Sequence, residues 1–220
     1  MFSAVEIRAI KAAIAANELN GKDPYQLSFA RQGSSGASFG VFQGDCANNA
    51  LAKSVLGQVL RAAALDAVTI GRITTALETP TPDGNPLSVA DSASVAAALT
   101  SNVGRALVDA MDDQLLQSVL TYTQQAVDTA ATRGWPTAQI ALLYIALWVN
   151  MTGAPNLLCK WIGGQSVLGL APPIGPTLAQ SDMQDYLQAT SYFQLHPKNF
   201  KHLLESVETG AQALQAAALV

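Results

Sequence analysis

The chain has 220 residues, 50% of them hydrophobic and only 13% charged, with a net charge of −4. That length suits one domain with a sizeable core. The 12 lysines and arginines are scattered, which excludes the basic stripe that nucleic-acid binding or docking to an anionic membrane requires.

The elements follow in chain order. Ser3 can cap a first helix, with Glu6 as its capping-box partner. Apolar residues at Val5, Ile7, Ile10, Ala13 and Ile14 keep helical period up to Glu18. Asn20-Gly21 stops this helix and Asp23-Pro24 opens a turn. Tyr25 to Ala30 alternates at period two, as a half-buried strand does. Gln32 to Gly36 reads as a turn, and Ser38 to Gln43 as the returning strand. The expected β structure is therefore one small hairpin between about residues 25 and 44.

The rest reads as helix. Residues 48–65 carry Leu51, Val55, Val59 and Leu60 at helical spacing, and residues 66–77 continue after a break. Residues 79–86, which include Pro80, Pro82, Gly84 and Pro86, form the clearest loop and a possible division between lobes. Helices are expected over 88–99 and 103–131. Pro136 stands near the start of the next helix. Residues 139–151 are apolar on nearly every face, so this helix should be central and buried. Its apolar run from Ile140 to Val149 is shorter than the roughly 20 residues a bilayer span needs. An irregular stretch from Gly163 to Pro176 precedes helices over 182–191 and 197–218. Aromatics are only 6% of the chain, so Ala, Leu and Val supply the apolar material, which favours closely packed helices.

Glu18 is the residue with the most chemical promise. A helix fixes a carboxyl at its end, and the Gly- and Ser-rich segment Ser34-Ser35-Gly36-Ala37-Ser38-Phe39-Gly40-Val41-Phe42-Gln43-Gly44-Asp45 follows. Glycines let a sugar ring approach the backbone, while Ser38, Gln43 and Asp45 offer groups that bind hydroxyls or position a water. Glycoside cleavage needs an acid to protonate the leaving oxygen, and a Glu beside apolar groups serves when burial raises its pKa. The aromatic residues Phe29, Phe39 and Phe42 of the hairpin suit that environment.

Glu18 at a helix end, followed by Ser38-Phe39-Gly40-Val41-Phe42-Gln43, resembles the lysozyme-like superfamily, in particular lytic transglycosylases and goose-type lysozymes, with chitosanase-like hydrolases as further kin. The run Ala141 to Gly153 resembles that superfamily's buried helix, whose end reaches the cleft. The resemblance covers about the first 45 residues and a later patch of about 25 that begins at Ala141; the middle matches no family pattern. It implies a mainly α, α+β fold: one lysozyme-like helical domain with a small hairpin and a buried central helix. It implies a glycosidase acting on a bacterial cell-wall or related polysaccharide, of the peptidoglycan type, with Glu18 as general acid. In a lytic transglycosylase the substrate's own N-acetyl group assists, and no second carboxylate is required. In a hydrolase Asp45 is the first choice for the second carboxylate and Asp23 the reserve, although Asp23 is also suited to capping the turn at Pro24 and Asp45 to capping the helix from Asn48. Ser38, Gln43, Asn150 and Trp161 are the candidate substrate-binding residues. Tyr144, on another side of the buried helix, reads as core, as do Trp135 and Trp148.

Other chemistries find less support. Gly33-Ser34-Ser35-Gly36 is not a nucleophile elbow, and neither histidine suggests a triad. His196 and His202 lack helical metal-ligand spacing, so no metal or cofactor is expected. Cys46 and Cys159 are open to pairing or to life as two buried thiols. The residues after Met1 lack a basic n-region, so action on a cell wall calls for release by lysis, injection or another export route. The competing class is non-catalytic: a helical virion component, effector or oligomeric scaffold, to which a sparsely charged, self-associating surface also answers.

Overall fold

A computed structural model describes residues 1–30 and 33–218 of the chain. Gln32, read as part of the first turn, lies outside the described residues. Helix α1 (Ala4–Leu19) begins where the sequence places it. The Ser3 backbone N–H and hydroxyl both donate to Glu6 Oε2, at 2.7 and 2.8 Å, and the Glu6 N–H donates back to Ser3 Oγ at 3.2 Å. That reciprocal pair satisfies donors that a helix start otherwise leaves unpaired.

The chain divides into two compact units: Met1–Asn17 with Leu116–Val220, and Glu18–Leu115. The divisions fall within α1 and within the long helix α5, while the Pro-rich loop read from the sequence lies inside the second unit.

The second unit holds the sheet. Strands β1 (Ser28–Phe29), β2 (Ala37–Phe39) and β3 (Gly44–Asp45) pair antiparallel in the order β1-β2-β3. The expected two-stranded hairpin is thus corrected to three very short strands. Ser38–Gln43 is not one strand, because Gly40 and Gln43 adopt φ of +82° and +48° and turn the chain between β2 and β3. Helices α2 (Ala50–Ala62), α3 (Ala67–Glu78) and α4 (Val89–Thr100) follow, with α5 (Asn102–Thr132) starting in this unit. Asn49, Asp66 and Ser88 cap the first three. Asn49, and not Asp45, accepts the first amides of α2, from Leu51 and Ala52. Phe39, Leu56, Leu60, Ile73, Leu77, Leu99 and Met111 fill the core. On its rim Arg72 grips Asp91 with both guanidinium nitrogens, joining α3 to α4; that hydrogen-bonded pairing holds the Asp91 carboxyl below its ordinary pKa.

In the first unit α6 (Gln139–Thr152) is the buried helix that its apolar run predicts: every residue from Ala141 to Leu147 is buried. Helices α8 (Gln180–Ala189) and α10 (Pro197–Ala218) pack against it. Gly210 of α10 packs closely there: a Cβ would stand 2.9 Å from Leu143 and 3.0 Å from both the Ala13 Cβ and the Ala9 carbonyl. Two short helices escaped the sequence reading: α7 (Asn156–Ile162) and α9 (Ser191–Leu195). Each is too brief to show a helical period. The helix expected over 182–191 runs two residues earlier, because the Asp182 carboxylate accepts the Ala179 N–H at 2.7 Å and so fixes its start. Tyr144 is core as expected, with its hydroxyl accepting from Gln184 Nε2 at 2.8 Å. No helix of the described residues is long and apolar enough to cross a membrane.

Candidate active site

Glu18, in the last turn of α1, is half-buried, and Leu19 beside it is buried. Asn20 and Gly21, at φ of +46° and +80°, turn the chain out of the helix. Asp23 accepts the Tyr25 N–H at 2.9 Å, the turn-capping role weighed against its use as a second carboxylate. The Gly40 N–H then donates to the Pro24 carbonyl at 2.8 Å. This bond ties the turn at Pro24 to the turn between β2 and β3.

The register sets Ser28 opposite Ser38 and Ser38 opposite Asp45. Directly paired residues share a face, so two hydroxyls and a carboxylate form a polar row across all three strands. The flanking Ala37 and Phe39 alternate to the other face and are fully buried. Phe42 is also buried, whereas Phe29 is only partly so.

Asp45 is held firmly. Its Oδ1 accepts the Gly36 N–H at 3.0 Å and the Ala47 N–H at 2.7 Å, and its Oδ2 accepts Asn48 Nδ2 at 2.8 Å. Burial raises its pKa, but the hydrogen bonds from Asn48, Ala47, Gly36 and Ser35 together outweigh burial and hold it below the ordinary value. Asp45 is therefore a fixed negative charge at neutral pH. Gln43 is anchored too: its Nε2 donates to the Gly40 carbonyl at 2.9 Å, and its Oε1 accepts the Ser28 hydroxyl. A primary amide retains one further N–H and one further lone pair in that arrangement.

Sequence reasoning missed the face of α5 that serves this segment. Arg105 lies 4.3 Å over the Tyr25 ring, and the Tyr25 hydroxyl donates to Asp109 at 2.7 Å. That hydrogen bond raises the Tyr25 pKa. Asp112, 1% exposed, accepts the amides of Val41 and Phe42 at 2.8 and 3.3 Å. Arg105, Asp109 and Asp112 share one helical stripe, and that spacing is the signal the sequence carried.

The two remaining candidates belong to the first unit. Asn150 is half-buried on α6. Trp161 is 2% exposed, donates its indole N–H to the Ala171 carbonyl at 2.7 Å, and lies 5.1 Å from the Tyr186 ring. It also lines a cavity of about 460 Å³ with Pro172, Pro173 and Asp185. His202 bonds the Asn17 carbonyl at 3.0 Å, and His196 stacks near Tyr192. Among the described residues no group of three or more His, Cys, Asp or Glu is placed to hold a metal. Cys46 and Cys159 are free thiols, and burial pushes Cys46 up to about 12.

No family model, curated protein or solved structure matches the chain.

Proposed function

We propose that the chain is a glycoside hydrolase of a cell-wall or related polysaccharide, with peptidoglycan the first substrate to test. Glu18 is the general acid and Asp45 the ionised partner. One observation carries the reading: a half-buried Glu ends α1, and the turn that follows, tied at Pro24 to Gly40, leads into a small antiparallel sheet with a polar row. A glycan suits such a face, because hydroxyl and amide groups recognise sugar hydroxyls without a strong field. Ser38 and Gln43 bind the sugar or orient water. Trp161 and Asn150 belong to the other unit, where Trp161 lines a cavity of its own, and they are given no part in the site around Glu18 and Asp45.

The deciding experiment is release of soluble fragments from peptidoglycan by the wild type and by Glu18→Gln. Full activity in the variant overturns the reading.

A second reading draws on the bonding of Asp45. A carboxylate already accepting two backbone amides and an Asn side chain is a poor general base, and this favours a lytic transglycosylase, in which none is needed. Such an enzyme leaves 1,6-anhydro ends, lighter by one water, and Asp45→Asn then has little effect on rate. Ordinary reducing ends together with a loss of about 10²–10⁴-fold in Asp45→Asn mark the hydrolase.

A further inference from the structure

The mechanism above leaves the buried carboxylates Asp91 and Asp112 unused, and Asp91 is already paired with Arg72. Asp112 is 1% exposed in the second unit, and a charge taken out of water is costly unless strong hydrogen bonds replace its hydration. Two of its bonds go to consecutive backbone amides, Val41 at 2.8 Å and Phe42 at 3.3 Å, across 71 and 70 residues of chain. Those amides belong to the turn that Gly40 enters at φ +82° and Gln43 leaves at φ +48°. Gly40 touches the same carboxylate: a Cβ there would stand 2.6 Å from Asp112 Oδ1. The side chain of Gln43 is in turn anchored to the Gly40 carbonyl at 2.9 Å and to Ser28. A shift of the carboxylate therefore reaches Gln43 through the backbone it holds.

We propose that Asp112 is the positioning residue of the sheet site, setting the Gly40–Gln43 turn and thereby the aim of the Gln43 side-chain amide. Its kinetic consequence rests on the glycosidase reading; its structural consequence does not. Asp112 touches no substrate. It acts on the amide that orients water or sugar, so its loss should appear in kcat more than in KM.

The test uses the full chain with Asp112→Asn, which keeps the shape and one acceptor oxygen but removes the charge. The first readout is the nitrogen–proton NMR signal of the Gln43 side-chain NH₂, which needs no substrate. It should move clear of its wild-type position, with faster hydrogen exchange at Val41 and Phe42. The second is turnover of peptidoglycan fragments: kcat should fall about tenfold or more with KM nearly unchanged. In a Gln43→Ala background, Asp112→Asn should add less than about twofold, since residues acting in series are non-additive.

An unmoved Gln43 signal in folded Asp112→Asn overturns the proposal, as does an undiminished effect in the Gln43→Ala background. Should Asp112→Asn fail to fold, Gly40→Ala displaces the turn from the opposite side and is read by the same Gln43 signal. If Glu18→Gln remains fully active, the glycosidase reading falls, and the NMR arm still decides the role of Asp112.

Discussion

Helix α6 and the segment from Ser28 to Asp45 are held in place by opposite means. In α6 every residue from Ala141 to Leu147 is buried, and apolar contact is nearly all that fixes it. The sheet segment has only seven residues in strands, in stretches of two, three and two. Its turns are fixed by side chains that accept backbone amides: Asp45 from Gly36 and Ala47, Asp112 from Val41 and Phe42. Apolar burial is non-directional and tolerates exchange of one hydrophobe for another. Amide capture is directional and fixes atoms, as a catalytic constellation demands. The chemistry is therefore expected in the second region and the bulk of stability in the first.

The largest effect that can break this contrast is kinetic. Glu18→Gln is expected to lower glycan cleavage by about 10²–10⁴-fold, the usual worth of a general acid. Its thermal midpoint should stay nearly the same, because the change is isosteric. A variant that melts much earlier while still cleaving would make Glu18 a structural residue.

Next comes a purely apolar deletion. Leu143→Ala removes a fully buried side chain from α6 and should cost about 2–5 kcal/mol of folding free energy through lost transfer energy and the cavity left behind. Urea unfolding measures it. Specific activity per folded molecule should be unchanged. A large loss of kcat in folded Leu143→Ala would show that the apolar region also sets catalytic geometry.

How far the sequence discloses each region follows the same division. The boundaries of α6 are read from it to within a residue, since an apolar run with no polar face has one solution. The Ser3–Glu6 capping box is equally local and equally legible. The third strand is not, because two residues carry no periodicity, and Gly44-Asp45 follows a turn whose shape depends on Asp112. That partner lies in another helix, and nothing near Val41 in the chain announces it. Asp45 was visible as a carboxylate after Gln43-Gly44, but its commitment to the Gly36 and Ala47 amides depends on a fold the local sequence does not specify. The brief helices α7 and α9 escaped for want of length.

A smaller effect sharpens the polar side of the comparison. Asp45→Asn should destabilise the protein by about 1–3 kcal/mol at pH 7, as accepted backbone N–H groups lose a charged partner. The pKa of Asp45 is depressed by folding, so its contribution is fully present above the unfolded carboxylate value of about 3.9 and is lost as pH falls through the lower folded value. The stability gap between wild type and variant, measured from pH 7 downward, should hold level to about pH 4 and then close. A gap that widens toward acid would mean that the carboxylate is strained by burial and not stabilised by the amides around it.

The smallest effect belongs to Ser38. It stands at the middle of the polar row, paired with both Ser28 and Asp45, and is half-buried. Ser38→Ala keeps β2 intact and opens no core cavity, so stability should change by no more than about 0.5 kcal/mol. A neutral hydroxyl that binds a sugar or a water contributes about 0.5–1.5 kcal/mol, which corresponds to roughly two- to tenfold in kcat/KM. The effect should survive in the Gln43→Ala background, because Ser38 reaches the site from β2 and not through the turn that Asp112 holds. An activity equal to wild type in Ser38→Ala would confine the working surface to Gln43 and Asp45. A loss as large as that of Glu18→Gln would instead move Ser38 from binding into the chemical step, where the whole polar row would have to be assigned again.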